Sequence, residues 1–196
     1  MRIISGSARG TRLESVPNPA LRPMLDRVKE SLFNILREVA PQARVLDLFS
    51  GSGALGLETI SRGAAGCVFV ESDPQLARLL LRNVERCHVS DRCRLVRADV
   101  LRLPQRPLDG AGLPADLVFC DPPYAMVADP NARADLFEAL ERMVGAWIAP
   151  GALLMLHHAP MPYALWPTVR LAETDRRIYG RSQLTFFDVL KEGADG

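Results

Sequence analysis

The stretch Asp47-Leu-Phe-Ser-Gly51-Ser-Gly53-Ala-Leu-Gly56 narrows the fold more than any other part of the 196-residue chain. It ends the aliphatic run of residues 44–50 and opens an amphipathic run over 54–62, which reads as buried strand, tight glycine turn and helix. The pattern then repeats, with strands over 67–71, 94–98, 115–120 and 152–157 and helices over 74–87 and 131–147, the last stopped near Pro150-Gly151. Residues 104–114 are rich in proline and glycine and read as a loop. Short strands alternating with amphipathic helices specify an α/β fold with a mostly parallel, doubly wound sheet. Two extended runs around Tyr179-Gly180, within residues 169–190, close that sheet as an antiparallel pair.

Ahead of the sheet, residues 2–5 and 10–13 flank a Gly/Ser/Ala turn and read as an N-terminal β-hairpin arm. Residues 25–39 carry apolar side chains at 25, 28, 32, 35, 36 and 39, a helical face. Pro17, Pro19 and Pro23 make the connection between arm and helix stiff and extended. The chain thus divides into arm and linker (1–23), a catalytic domain (24–190) and a tail (191–196).

Hydrophobic residues at 48% and charged residues at 24% exclude a disordered or fibrous chain. The longest clean apolar run, residues 152–156, is far below the roughly 20 residues that span a bilayer. The opening residues also lack the apolar segment of a signal peptide, so no membrane partner and a cytoplasmic location are expected. Net charge is +1, yet Arg2, Arg9 and Arg12 are unopposed by acid within residues 1–13, and residues 170–181 hold four arginines against Glu173 and Asp175. Basic ends suit a polyanion-facing surface, although 22 arginines against 2 lysines equally suit a compositional habit. Cysteines 67, 87, 93 and 120 form no Cys-x-x-Cys pair, and Cys87-His88 and His157-His158 lack further ligands at metal-site spacing. Free core thiols and no metal are expected.

The glycine loop satisfies Gly-x-Gly-x-x-Gly, and Glu71 closes the second strand about 20 residues on, where an acid binds ribose hydroxyls. A nicotinamide cofactor would fit this much. Asp47, four residues before Gly51, shifts the balance: a carboxylate at the strand tip suits an ammonium and lies poorly against a pyrophosphate. S-adenosylmethionine (SAM) carries a sulfonium and an ammonium and no phosphate. Gly51 and Gly53 let the backbone approach it, Glu71 would hold its ribose, and Asp99 at the third strand's end would meet the adenine amino group. The competing reading has Asp47 and Asp99 as turn and helix caps.

Asp121-Pro-Pro-Tyr124 follows the fourth strand directly. Two prolines remove two backbone donors and stiffen the turn, leaving the Asp121 carboxylate and the Pro122 carbonyl as a fixed acceptor pair. Such a pair suits a donor, an exocyclic NH2, and pulls its nitrogen toward the tetrahedral geometry needed for in-line attack on a methyl group. Tyr124 offers a flat face for a splayed-out base. Standing alone the tetrapeptide is a rigid turn; its place beside the glycine loop is what points to chemistry.

These residues resemble the RsmD-type family of bacterial small-subunit rRNA (guanine-N2)-methyltransferases. The resemblance runs from Arg2 to about Leu190 and is most specific at Arg2-Ile-Ile-Ser-Gly with Arg9-Gly10, Arg22-Pro-Met-Leu-Asp-Arg-Val-Lys-Glu-Ser-Leu-Phe-Asn34, the glycine loop and the tetrapeptide. It implies a Rossmann-like class I SAM-dependent methyltransferase fold. It further implies methylation of a guanine N2 in 16S rRNA, in the 30S subunit or a late assembly intermediate; a monomer is expected. It adds Phe49 and Ser72 to the cofactor residues, joins Asp121 to both cofactor and amine, and places Asp26 and Arg27 near the pocket and Arg2, Arg9 and Arg12 on RNA. Met24 and Leu25 depart from the threonine usual in the family, while Glu71-Ser72 conforms. The competing functions are DNA adenine or cytosine amino-methylation, against which stands the lack of room for a separate sequence-reading domain, a noncatalytic RNA-binding assembly factor, and, more distantly, a nicotinamide oxidoreductase.

Overall fold

The computed structural model describes residues 1–15, 24–107, 112–161 and 166–191. Pro17, Pro19 and Pro23, Arg22 and the tail beyond Lys191 lie outside the described residues.

Helix α1 (Asp26–Ile35) precedes β1 (Arg44–Leu48), α2 (Ala54–Ser61), β2 (Gly66–Val70), α3 (Pro74–Arg86), β3 (Cys93–Val96) and β4 (Ala115–Cys120). Then come α4 (Tyr124–Ala128), α5 (Pro130–Met143), β5 (Ile148–His158), β6 (Leu171–Tyr179) and β7 (Ser182–Val189). One seven-stranded sheet has the order β3-β2-β1-β4-β5-β7-β6. Strands β1 to β5 are parallel, and β7 enters antiparallel between β5 and β6. Strand order reverses at β1, which pairs with both β2 and β4, so the ligand crevice of such a sheet lies beyond the carboxyl ends of these two strands.

Alternation along β1 sends Val45 to the core shared with α1 and α2 and sends Leu46 and Leu48 to the core shared with α5. Asp47, in step with Val45, therefore points toward α2. Two helices begin the same way: Asp73 caps α3 and Asp129 caps α5 through the next free backbone N–H groups, each followed by proline in the first turn.

Four elements depart from expectation. Helix α1 stops at Ile35 and leaves Leu25 and Val39 outside it; the buried stripe is Val28, Lys29, Leu32 and Phe33, so a lysine takes an inward place that periodicity gave to hydrophobes. Helix α5 ends at Met143, because Val144 is extended and Gly145 takes φ 97°. Strand β5 starts at Ile148 and runs through Pro150 and Gly151 where the register with β4 shifts, an irregularity that accommodates proline. The short α4 begins at Tyr124 itself.

The N-terminal hairpin is docked rather than free. Its pairing reduces to one antiparallel bridge, Arg2 with Arg12, and Ile3, Ala8 and Leu13 join the core of α1 and α2. Buried Glu58 accepts from the Ile4 and Ser5 N–H groups, at 2.7 and 3.0 Å, while Lys29 Nζ donates to the Arg2 carbonyl at 2.6 Å. Gly6 is required by close approach: a Cβ there would lie 1.7 Å from the Ser61 carbonyl oxygen.

Candidate active site

The glycine loop is held open from behind. Phe49, Gly51 and Gly53 have φ of 59°, 54° and 79°, left-handed conformations that cost a bulky residue such as Phe49 about 1–3 kcal/mol. Neighbours hold the strained turn in place. Glu71 Oε2 accepts from the Gly51 N–H at 2.8 Å, Ser50 Oγ donates to the Asp47 carbonyl at 2.6 Å, and Asn83 Nδ2 donates to the Ser52 carbonyl at 2.9 Å. A Cβ on Gly51 would meet open space, leaving backbone accessible to a ligand, whereas one on Gly56 would lie 2.4 Å from the Phe69 ring. Gly51 thus faces the crevice and Gly56 lets α2 pack on β2.

Asp47, Glu71 and Asp121 stand at the ends of β1, β2 and β4. Burial pushes the Asp47 carboxyl well above the usual carboxylate range, the Gly56 N–H opposes this by donating to Oδ2 at 3.0 Å, and the charges of Asp121 and Glu71 push it further up. Among the described residues no lysine or arginine pairs with any of the three. A site with this field favours a cation and repels a pyrophosphate.

The tetrapeptide joins a chain of side chains that sequence reading missed. Asp121 Oδ1 lies 2.7 Å from His157 Nδ1, and His157 Nε2 lies 2.9 Å from Tyr124 Oη, which is also 2.9 Å from Ser182 Oγ. A carboxylate only accepts, so Nδ1–H donates to Asp121, and Nε2, Tyr124 Oη and Ser182 Oγ continue the chain of hydrogen bonds. Asp121 Oδ2 and the Pro122 carbonyl accept no hydrogen bond among the described residues. Nothing local in the sequence marks this contact: Leu156 pairs with Cys120 in the β4–β5 ladder, and only that register brings His157 beside Asp121. His158 goes elsewhere, to Thr185 and the Ala159 carbonyl, and burial pushes its pKa down to about 4.

The remaining candidates scatter. Glu71 spends Oε1 on the Asp73 N–H at 2.8 Å, so both its oxygens already hold backbone. Asp99 caps a short 3-10 turn through Leu101 N–H at 3.0 Å and stays exposed, and Ser72 is exposed beyond β2. Asp26 and Arg27 are exposed in the first turn of α1, whose Ser31 bonds Tyr179 at the β6–β7 turn. Arg2, Arg9 and Arg12 are exposed; Arg2 and Arg12 lie opposite each other across the hairpin bridge, and Arg9 lies toward the other end, since the Met1 end of the hairpin meets Ser52 before α2 while Ala8 meets Ser61 at its far end, about 12 Å along the helix. Cys67, Cys87 and Cys120 are buried free thiols, and burial pushes half-buried Cys93 up to about 12.

Sheet order, an accessible glycine turn at the strand-order reversal and an uncompensated carboxylate cluster define a SAM-dependent methyltransferase of the Rossmann-like class I fold. Among solved structures, yhhF of Escherichia coli superposes with TM-score 0.80 at 29% identity, covering 97% of this chain and 98% of that one. An RNA methyltransferase from Salinibacter ruber, solved with S-adenosyl-L-homocysteine, shares the fold at TM-score 0.62 and 18% identity, covering 89% and 98%. The chain belongs to the RsmD family, whose model, described as conserved hypothetical protein 95, matches residues 1–188. The ribosomal RNA small subunit methyltransferase D of Escherichia coli K12 is 37% identical over 156 residues, covering 79% of this chain and 72% of that relative.

Proposed function

We propose that the protein transfers methyl from SAM to the exocyclic N2 of a guanine in 16S rRNA, within the 30S subunit or a late assembly intermediate, acting as a cytoplasmic monomer. The observation that carries this reading is the acceptor pair left open at Asp121 Oδ2 and the Pro122 carbonyl beside a cation-favouring glycine loop. The relatives' small-subunit rRNA substrate supports the choice of polymer.

Bound SAM supplies an electrophilic methyl on a sulfonium. Phe49, Gly51 and Gly53 would line its approach, Asp47 and Asp121 would face its positive charges, and Glu71, Ser72 and Asp99 would hold ribose and adenine. Asp121 Oδ2 and the Pro122 carbonyl receive the two N–H groups of the base, which turns the nitrogen lone pair toward the methyl. The sulfonium S–CH3 bond would break as the N–C bond forms, its electron pair staying on sulfur as a thioether, and Asp121 Oδ2 would take the proton that the amine sheds. Tyr124, its hydroxyl tied back, gives the base a stacking face. Arg2, Arg9, Arg12, Asp26 and Arg27 extend the contact to RNA.

Labelled SAM offered with undermodified 30S particles, naked 16S rRNA and duplex DNA tests the polymer. Label in the particles is expected; label only in DNA would overturn the reading, and no label in any of them would revive a noncatalytic binding role.

A further inference from the structure

We infer that His157 is a positioning residue for methyl transfer, fixing the Asp121 carboxylate and the Tyr124 ring relative to each other so that Oδ2 is the oxygen turned toward the substrate. The inference rests on the role given to the tetrapeptide above. Asp121 sits on a turn and is about a quarter exposed, so on its own its carboxylate is free to rotate about two bonds. His157 Nδ1 occupies Oδ1 at 2.7 Å and thereby selects Oδ2 as the outward acceptor. The same imidazole takes the Tyr124 hydroxyl at 2.9 Å, and the rings meet edge to face at 5.3 Å and 84°. One side chain therefore links the acceptor to the stacking platform.

That side chain is itself rigidly supported. His157 is 1% exposed on β5, paired with β4 on one side of the strand and in register with Leu184 of β7 on the other. Ser182, at the start of β7, closes the chain of hydrogen bonds, its Oγ lying 2.9 Å from Tyr124 Oη. Two strands that contribute nothing to the glycine loop thus set the geometry of the transferring end. Displacing a reacting group by about 1 Å costs on the order of a hundredfold in rate, so this support acts on turnover more than on binding.

The test compares His157→Asn, which keeps a donor at the Nδ1 position, with His157→Gln and His157→Phe, which do not. Each full-length variant is measured for kcat and KM with undermodified 30S particles at saturating SAM, for SAM Kd by calorimetry, and for melting temperature. Asp121→Ala and His158→Asn serve as references. His157→Phe and His157→Gln are expected to lower kcat by at least about tenfold with KM and SAM Kd within about twofold, while His157→Asn recovers most of kcat. A role in packing alone would rank the larger Phe above the smaller Asn. That order, or full kcat in His157→Phe, overturns the inference. If Phe fails to fold, the Asn–Gln comparison decides alone, with equal loss in both counting against positioning. Full activity of Asp121→Ala would instead sink the tetrapeptide reading itself, and the two failures are read from different variants. A kcat loss in His158→Asn equal to that of His157→Phe would assign the effect to general loosening of β5 and overturn the inference.

Discussion

Asp47 is protonated more readily in the folded chain than in the unfolded one, because burial raises its pKa and the Asp121 and Glu71 charges add to the rise. Between the ordinary carboxylate pKa, about 4, and that raised value, the native state binds more protons, so its contribution to stability falls as pH rises through this window. Asparagine can still accept from the Gly56 N–H. Asp47→Asn is therefore predicted to melt above wild type at pH 7, by a margin that grows with pH, while SAM affinity drops at least about tenfold from loss of a charge facing a cation. Melting curves across pH with calorimetry check this; a variant less stable at every pH would contradict it. The tetrapeptide is legible in sequence because its acceptors are adjacent in the chain. His157 is not, because its link to Asp121 spans 36 residues and exists only through the β4–β5 register. Asp99 accepts from the Leu101 N–H, and its acidity in sequence does not by itself separate such a cap from a ligand contact.

At the scale of elements, α2 sits close on β2 because Gly56 has no side chain. Gly56→Ala puts a methyl within 3 Å of Phe69 and Cys67, and overpacking of this kind costs about 1–3 kcal/mol. Denaturant unfolding should show that loss, and an unchanged midpoint would mean that α2 shifts freely. Strands are legible wherever burial on both faces makes continuous aliphatic runs, as in β1, β2 and β4. The inward face of α1 departs from the hydrophobic pattern because tertiary contacts decide it, and α5 ends before its apolar run does because Val144 is extended and Gly145 is left-handed. Lys29 is carried inward by Glu58 and the Arg2 carbonyl, and hydrophobic spacing holds no sign of that buried charge. The hairpin reads as an arm, since nothing in its own sequence announces that a buried glutamate on α2 holds its backbone.

At the scale of the molecule, the sheet places the glycine loop and the tetrapeptide at one end and sends the hairpin along α2, so basic residues reach from the glycine loop to the far side of the fold. Replacing Arg2, Arg9 and Arg12 together with alanine is predicted to weaken binding to RNA and to flatten its salt dependence, with the slope falling by up to about one for each phosphate no longer neutralised. Binding titrations at several salt concentrations measure this, and an unchanged slope would leave the arginines as composition only. The fold class is legible because alternating strand and helix patterns admit few topologies. The charge pattern constrains less, since exposed arginines take their meaning from a partner.

The proposed reaction forms one bond, between a methyl group and the N2 of a guanine. Purified protein incubated with labelled SAM and undermodified 30S particles, followed by digestion of the rRNA to nucleosides and mass spectrometry, reads that bond directly. Label is expected in N2-methylguanosine and is expected to vanish with Asp121→Ala; label in any other nucleoside would contradict the proposed reaction.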